Sequence, residues 1–236
     1  MTSIEAIINR QLLKWEFESK VEGEPEKAHP HPNPIVTISR QSGSRGSYFG
    51  SRLAQRLGFQ RLHREAIELV SRSTGYQKRI LESLDGHFRD RLELMVESIL
   101  TGSAIDYTDY TRQLCRMVLS MSQLGGVILM GRGGNHILGP KRGFHIRVVC
   151  PKEKRIENLV KYKEITEDEA VEVIEKSDTD RKRFVKQVFS ADIDDPHHYD
   201  LVVNTSYMDI EDLVETTVIA YRAKMNKLTY LDHDKV

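Results

Sequence analysis

The chain has few cysteines, no long apolar run and no excess of charge, and each absence excludes a class of protein. Two cysteines, Cys115 and Cys150, are too few and too scattered for a disulfide framework or a zinc site. No stretch approaches the roughly 18 apolar residues of a membrane-spanning helix. No charged and apolar leader precedes a small-residue cleavage site. We therefore expect a cytoplasmic protein without a membrane partner.

Positive and negative charge are balanced over the whole chain. Lysine and arginine number 35 together, as do aspartate and glutamate, so the formal net charge is zero. A nucleic-acid partner held by a general positive field is not expected, and arginines matter only where they cluster. A length of 236 residues with 39% hydrophobic content is enough to bury one substantial α/β core.

The first 33 residues differ in pattern from the rest. Apolar residues at helical spacing predict an amphipathic helix over residues 4–20, and the acidic stretch and alternating prolines after it predict an extended linker. The helix docks on its own domain, on a second subunit to form a homo-oligomer, or on another protein, and the sequence does not choose among these. The domain follows over 34–225, and 226–236 is a tail. The apolar positions of the helix are Ile4, Ile7, Ile8, Leu12 and Trp15.

Residues 35–58 predict a phosphate-binding site. A short apolar strand is followed by a loop of glycine, serine and arginine, and then by a helix that Gly58 closes. Backbone N–H groups of such a loop and of the first helical turn point at one spot, where the helix dipole also favours an anion. The residues expected to bind the nucleotide phosphates are Arg40, Ser42, Gly43, Ser44, Arg45, Gly46 and Ser47.

This loop departs from the common pattern G-x-x-x-x-G-K-[ST]. Arg40 and Arg45 stand at the two glycine positions, Gly46 stands at the lysine position, and Ser47 stands at the last position. Arg45 carries the charge of the absent lysine, but its side chain leaves the backbone one position earlier. Arg40 is the second candidate for that charge. The hydroxyl of Ser47 is the candidate magnesium ligand, directly or through a water.

Short apolar runs at spacings that suit βαβ crossovers predict a parallel sheet with helices on both faces. The stretch from Arg64 to Gln123 is helical in pattern, with a break at 101–103. Pro151 suits the start of a helix, and Thr166 with Glu169 forms a capping box. Besides the strand that opens at Ile35, the strand candidates are Phe59–Leu62, Val127–Met130, Phe144–Val149 and Leu201–Val203.

In order and spacing, several short motifs resemble the cytidylate kinase-like family, relatives of the P-loop nucleoside monophosphate kinases. The resemblance covers roughly residues 34–220. It implies a P-loop NTPase-type three-layer sandwich, in which a parallel sheet is flanked by helices, with a helical insertion and an arginine-bearing lid. The motifs are Ile38-Ser39-Arg40, Gly43-Ser44-Arg45-Gly46, Leu62-His63-Arg64-Glu65, Met130-Gly131-Arg132-Gly133, Asp180-Arg181-Lys182-Arg183 and Tyr199-Asp200-Leu201-Val202-Val203-Asn204-Thr205.

The resemblance assigns roles to individual arginines. Arg181 and Arg183 resemble lid arginines that close over the phosphates, and Arg132 resembles the arginine that binds the acceptor phosphate. Without the resemblance, the stretch around Arg181 reads as a solvated helical face. Arg64 lies in a family motif and is a further substrate-binding candidate. Arg112 is another, in a patch with Tyr107, Tyr110 and Arg116 that a helix with one wet face explains equally well.

The implied activity is transfer of the terminal phosphoryl group of ATP, with magnesium, to a small acceptor. A nucleoside monophosphate, CMP or dCMP first, is the acceptor that the resemblance implies. The missing lysine, the extra Arg45 and His63 in place of the usual aspartate favour a rival, a regulatory protein that binds nucleotides without turnover. A kinase with a non-nucleotide acceptor is the third hypothesis. The segment from Asp194 to His198 resembles a metal site, but its family counterpart is a loop.

Overall fold

The computed structural model describes residues 3–21, 35–101 and 108–233. The predicted linker and Tyr107 lie outside these ranges. In chain order the elements are α1 (Ile4–Val21), β1 (Ile35–Arg40), α2 (Gly46–Leu57), β2 (Gln60–Leu62), α3 (Arg64–Arg72), α4 (Thr74–Glu82), α5 (Gly86–Leu100), α6 (Asp109–Leu124), β3 (Val127–Met130), α7 (Gly134–Leu138), β4 (Phe144–Val149), α8 (Lys152–Lys163), α9 (Glu167–Phe189), β5 (Leu201–Asn204) and α10 (Ile210–His233).

The strands form a five-stranded sheet in the order β2-β3-β1-β4-β5, and every neighbouring pair is parallel. Strand β1 is central, and Ile38 pairs with Met130 of β3 on one side and with Ile146 of β4 on the other. All five predicted strands are present, and the predicted sandwich of a parallel sheet between helices is confirmed. Because the strands are parallel, the loops after β1, β3 and β4 meet at one edge.

The two faces of the sheet bury separate apolar clusters, as the alternation of side chains along a strand requires. Ile35 of β1 and Leu129 of β3 pack with α1 and α3 to α6, whereas Val36, Ile38 and Met130 pack with α2 and α10 on the opposite face. The short apolar runs in the strands, such as Val127–Met130 of β3, therefore reflect burial on both sides. Among the described helices, none is long and apolar enough to cross a membrane.

Local signals place several helix ends correctly. Helix α2 ends at Gly58 in the left-handed conformation, with φ of 70°. Thr166 and Glu169 form the expected capping box at the start of α9. Pro151 stands immediately before α8. Helix α10 continues to His233, so the segment that was predicted as a tail from residue 226 begins inside this helix.

Helix α1 packs on the core of its own chain. Ile8, Leu12 and Trp15 are buried in the cluster that contains α3 to α6. The indole N–H of Trp15 donates to the carbonyl of Gly125 at 3.0 Å. Arg79 of α4 holds the carboxylate of Glu16 with two hydrogen bonds, at 2.7 and 3.1 Å. The apolar stripe is thus covered without a second subunit.

We expect Trp15→Ala to lower the free energy of unfolding by roughly 3 to 5 kcal/mol, because a large buried side chain and its hydrogen bond are lost together. Trp15 is 3% exposed, whereas Phe17 on the same helix is 70% exposed. Phe17→Ala is therefore the control, with an expected change within about 0.5 kcal/mol. Urea unfolding of both variants measures the difference. Equal stabilities would contradict the docked position of α1.

Candidate functional site

The loop between β1 and α2 has the backbone shape of an anion cradle. Gly43 and Arg45 adopt positive φ angles of 77° and 55°. The loop is fixed internally by the Ser44 hydroxyl, which donates to the carbonyl of Gln41 at 2.8 Å. Thr205, just after β5, donates its hydroxyl to the Ser44 carbonyl at 2.8 Å. As at the start of any helix, the N–H groups of the first turn of α2 have no partner within the helix and can bind an anion.

Both glycines of the loop stand where any side chain would collide with the protein. A Cβ atom on Gly43 would lie 2.6 Å from the carbonyl oxygen of Arg155, and one on Gly46 would lie 2.6 Å from Cβ of Arg40. These neighbours are backbone or near-backbone atoms, which cannot move aside cheaply. Both glycines are thus required by close packing.

Helices α8 and α9 hold the loop from outside. Asn158 of α8 donates to the carbonyl of Gly43 at 2.9 Å. The backbone N–H of Ser42 donates to the carboxylate of Asp178 on α9 at 2.9 Å. Arg155 of α8 bridges the two, because it contacts the Asp178 carboxylate and donates to the Ser42 carbonyl at 3.3 Å. The loop and the helix that carries the predicted lid arginines are therefore joined directly.

The first of two neighbouring cavities lies over this loop and has a volume of about 660 Å³. The loop from Arg40 to Ser47 forms one wall, and Asn158, Tyr162 and Lys163 of α8 form another. The guanidinium of Arg45 lies 5.2 Å from the ring centre of Tyr48 and 5.6 Å from that of Tyr162. All seven residues predicted to bind the nucleotide phosphates line this cavity, and after that prediction we call it the donor cavity.

The second cavity, about 340 Å³, lies beside the glycine-rich loop after β3. We call it the acceptor cavity, because it is lined by Arg132, which the sequence predicts to bind the acceptor phosphate. Arg132 and Arg64 line one side, and Lys176, Asp180 and Arg181 of α9 line the other. The structure thus brings Arg64 and Arg132, two of the three residues predicted to bind the substrate, to one cavity.

Arg40 and Arg181 line both cavities. Arg181 donates to the backbone carbonyl of Arg40 at 2.8 Å and lies 3.5 Å from the Asp178 carboxylate. Burial and the positive charge of Arg181 lower the pKa of Arg40 to about 10. Burial also lowers the pKa of Arg181 itself. Both side chains are cations that have lost water, and an anion placed between the cavities would restore favourable interactions for them.

Arg132 has a similar environment. It adopts a left-handed backbone conformation, with φ of 58°, between two glycines that also have positive φ. Its guanidinium contacts the Glu68 carboxylate and lies 5.3 Å from the ring centre of Phe184. Burial lowers its pKa to about 10, and among the described residues its buried Nε–H has no hydrogen-bond partner. A donor without a partner in a cationic cavity favours an anionic ligand.

The structure does not bring two of the predicted residues to either cavity. Arg183 is on α9, but its side chain is 61% exposed and lies 3.5 Å from Asp180 on the same helix. Arg112 of α6 pairs with Glu97 of α5 at the surface. Their functional roles stay predictions from the sequence.

Sequence reasoning missed the residues that position the others. Asp178 and Arg155 fix the phosphate loop, and Arg147, buried on β4, donates to the Ser39 hydroxyl at 2.8 Å and to Asp194 at 2.6 Å. An arginine inside an otherwise apolar strand was the available signal for Arg147. Asp194 of the metal-like segment therefore holds an arginine, and no group of three candidate metal ligands occurs in the part of the chain that the structure describes.

Three curated proteins are similar in sequence to parts of this chain. A uronate isomerase of Corynebacterium glutamicum is 33% identical over 114 residues, which are 48% of this chain and 22% of that protein. A cytidylate kinase of Methanocaldococcus jannaschii is 31% identical over 112 residues, or 46% of this chain and 62% of that protein. A cytidylate kinase of Ignicoccus hospitalis is 25% identical over 183 residues, or 77% and 95%. The chain spans less than two thirds of the length of the first two relatives.

The crystal structure of an uncharacterized protein from Eubacterium ventriosum has the same fold. It superposes with a TM-score of 0.63 at 16% sequence identity, covering 81% of this chain and 99% of that chain. A sequence model of the cytidylate kinase-like family matches residues 35–207, which include the phosphate loop, the arginines of both cavities and all five strands. This chain belongs to the cytidylate kinase-like family.

Proposed function

We propose that this protein is a kinase that binds ATP with magnesium in the donor cavity. It transfers the terminal phosphoryl group to the phosphate of a small acceptor, a nucleoside monophosphate such as CMP or dCMP. The observation that carries the proposal is the position of Arg40 and Arg181, which line both cavities and so flank the space through which a phosphoryl group would pass. Family membership supports the same activity.

The composition of the acceptor cavity favours a phosphate acceptor over an alcohol. Its described lining carries five cations, from Arg40, Arg64, Arg132, Lys176 and Arg181, against the single carboxylate of Asp180. An alcohol must lose a proton to a general base during transfer. A phosphate oxygen is already ionised at neutral pH and needs charge neutralisation instead. The abundance of cations and the single carboxylate therefore fit a phosphate acceptor better than a sugar hydroxyl.

In the proposed reaction, an oxygen of the acceptor phosphate attacks the terminal phosphorus of ATP. A new P–O bond forms while the bond to the bridging oxygen breaks, and that oxygen leaves on ADP with the electron pair. Little covalent chemistry is left for the protein, so positioning and charge neutralisation dominate. Arg132 and Arg64 would hold the acceptor phosphate, and Arg181 would neutralise the moving group.

The donor side fits magnesium carried by ATP rather than by a protein cage. Ser47 lines the donor cavity and offers one hydroxyl, while the described residues contain no cluster of three candidate ligands. Magnesium in kinases keeps waters and substrate phosphates as most of its ligands, so one hydroxyl is sufficient. When bound, the ion neutralises charge on the phosphate oxygens.

A regulatory protein that binds nucleotides without turnover is the second candidate. The contact of Asp178 with the loop favours this candidate. The Asp178 carboxylate already accepts a hydrogen bond from the N–H of Ser42, a residue that is predicted to bind the phosphates. A panel of nucleoside monophosphates and small metabolites, incubated with ATP and magnesium, separates the candidates. ADP release only with CMP or dCMP supports the proposal. Release with a metabolite supports a non-nucleotide kinase, and ATP binding without turnover supports the regulatory protein.

We expect Gly46→Val to abolish ATP binding, because a side chain at this position collides with Arg40 and blocks the approach of phosphate. Calorimetry with ATP measures the loss. Gly75 in α4 is the matched control, because a Cβ atom there meets only the Ser73 hydroxyl, at 3.9 Å. Gly75→Val should bind ATP normally. Normal ATP binding by Gly46→Val would remove the loop from the site.

We expect Arg181→Ala to lower kcat by roughly 100-fold or more, while ATP affinity changes less. The reason is that charge shifts onto the transferring oxygens only in the transition state, where a preorganised cation acts most strongly. Arg183→Ala should lower kcat by a smaller factor, because the Arg183 side chain is exposed and lines neither cavity. Steady-state kinetics with calorimetry for ATP compare the two. Unchanged kcat in Arg181→Ala would contradict the assignment.

Arg132→Ala should raise the KM for the acceptor by about tenfold or more, because a charge-assisted contact to its phosphate is lost. The KM for ATP should change little. Arg112→Ala provides the comparison, since Arg112 pairs with Glu97 away from the acceptor cavity. An equal rise in both KM values for Arg132→Ala would argue against an acceptor role.

A further inference from the structure

Arg45 is an unusual residue for its backbone position. It precedes the first turn of α2 with φ of 55°, in the left-handed region that glycine adopts without strain. A large cationic side chain at such a position carries a conformational cost, and costs of this kind persist mainly at functional sites. The Cα of Arg45 also lies at the N-terminus of α2, where an anion is favoured.

The Arg45 side chain rests on two aromatic rings of the donor cavity. Its guanidinium lies within 6 Å of the ring centres of both Tyr48 and Tyr162, the usual range for cation–π contacts. The two tyrosines come from different helices, α2 and α8, and are 48% and 58% exposed. Among the described residues, no carboxylate forms an ion pair with Arg45 beside these two ring contacts. The rings are therefore its principal contacts in this conformation.

A guanidinium and a nucleobase compete for the same kind of surface. Both are planar, and both stack on the faces of aromatic rings. Tyr48 and Tyr162 line the cavity that the phosphate loop also lines, so a nucleotide with its phosphates on the loop has its base within the same cavity. A base that stacks on either ring has to displace the guanidinium.

We propose that the Arg45 guanidinium covers the rings of Tyr48 and Tyr162, which form the platform on which the base of the nucleotide stacks. We propose further that the phosphates of the nucleotide attract this guanidinium away from the rings. In this scheme, which rests on the proposed function, the guanidinium leaves Tyr48 and Tyr162 to pair with the phosphates on the loop. The exposed rings then receive the base. Arg45 thereby couples the binding of the triphosphate to the binding of the base. The triphosphate attracts the guanidinium and uncovers the rings, whereas a nucleoside alone must displace the arginine without forming a new ion pair with it.

The scheme predicts changes of opposite sign for the two halves of the donor. In Arg45→Gly, inorganic tripolyphosphate loses a charge-assisted contact, and its affinity should fall by about tenfold or more. Adenosine no longer has to displace the guanidinium, so its affinity should rise by about threefold or more, because its base can stack on the uncovered rings. Glycine also suits the positive φ, so this variant is expected to fold. Calorimetry with each ligand separately measures both affinities.

Two further variants serve as controls. Lys161 also lies over the Tyr162 ring, at 5.4 Å, but it is exposed and is not part of the phosphate loop. Lys161→Ala should leave the tripolyphosphate affinity unchanged and the adenosine affinity within about twofold, because Arg45 still covers the rings. In Arg45→Gly combined with Tyr162→Ala, the gain in adenosine affinity should disappear, because part of the platform is gone.

The outcomes separate this inference from the proposed function. A wild-type protein that binds neither ATP nor tripolyphosphate overturns the proposed function itself. A second result overturns only the competition between Arg45 and the base. In that result ATP binds, but Arg45→Gly has a lower or unchanged affinity for adenosine, or adenosine binds neither protein detectably. A fall in tripolyphosphate affinity with a rise in adenosine affinity supports it.

Discussion

The pairing of β1 with a parallel neighbour on each side determines where both cavities lie. Backbone hydrogen bonds continue this pairing beyond the strands, from Gly131 to the carbonyl of Ile38 at 3.0 Å and from Gln41 to the carbonyl of Val148 at 3.0 Å. They hold the loop that follows β3 and the loop that follows β1 at one edge of the sheet. Arg132 and Arg40, one in each loop region, face a common space for this reason.

A chain without net charge produces a strongly cationic site by distributing its carboxylates unevenly. Asp178, Glu68 and Asp194 pair with Arg155, Arg132 and Arg147 of the site region, and none of these three carboxylates lines either cavity. Such contacts fix the rotamers of the arginines before a ligand arrives, which reduces the entropy lost on binding. The local surplus of cations that line the acceptor cavity then favours phosphate groups.

The strands and several helix ends were predictable from the sequence because their causes are local. Short, largely apolar runs were read as strands, and Gly58 and the capping box at Thr166 marked helix ends. The course of the loop between Arg40 and Ser47 was also predictable in part, since glycine adopts the positive φ seen at Gly43 without strain. Docking of α1 was not, because its apolar stripe is compatible with any apolar partner.

The amino-acid sequence by itself determined the order of strands and helices, the position of the phosphate loop and the presence of arginines in that loop. Tertiary structure decided which arginines meet. Arg181 and Arg183 are two positions apart on one helix, so their side chains point about 200° apart and cannot both face one cavity. Which of the two faces the cavities depends on how α9 is placed, and this placement turns Arg181 toward them. Asp178 meets Ser42 across 136 residues of sequence. Contacts at that separation depend on how helices lie over a sheet, which local sequence patterns do not encode.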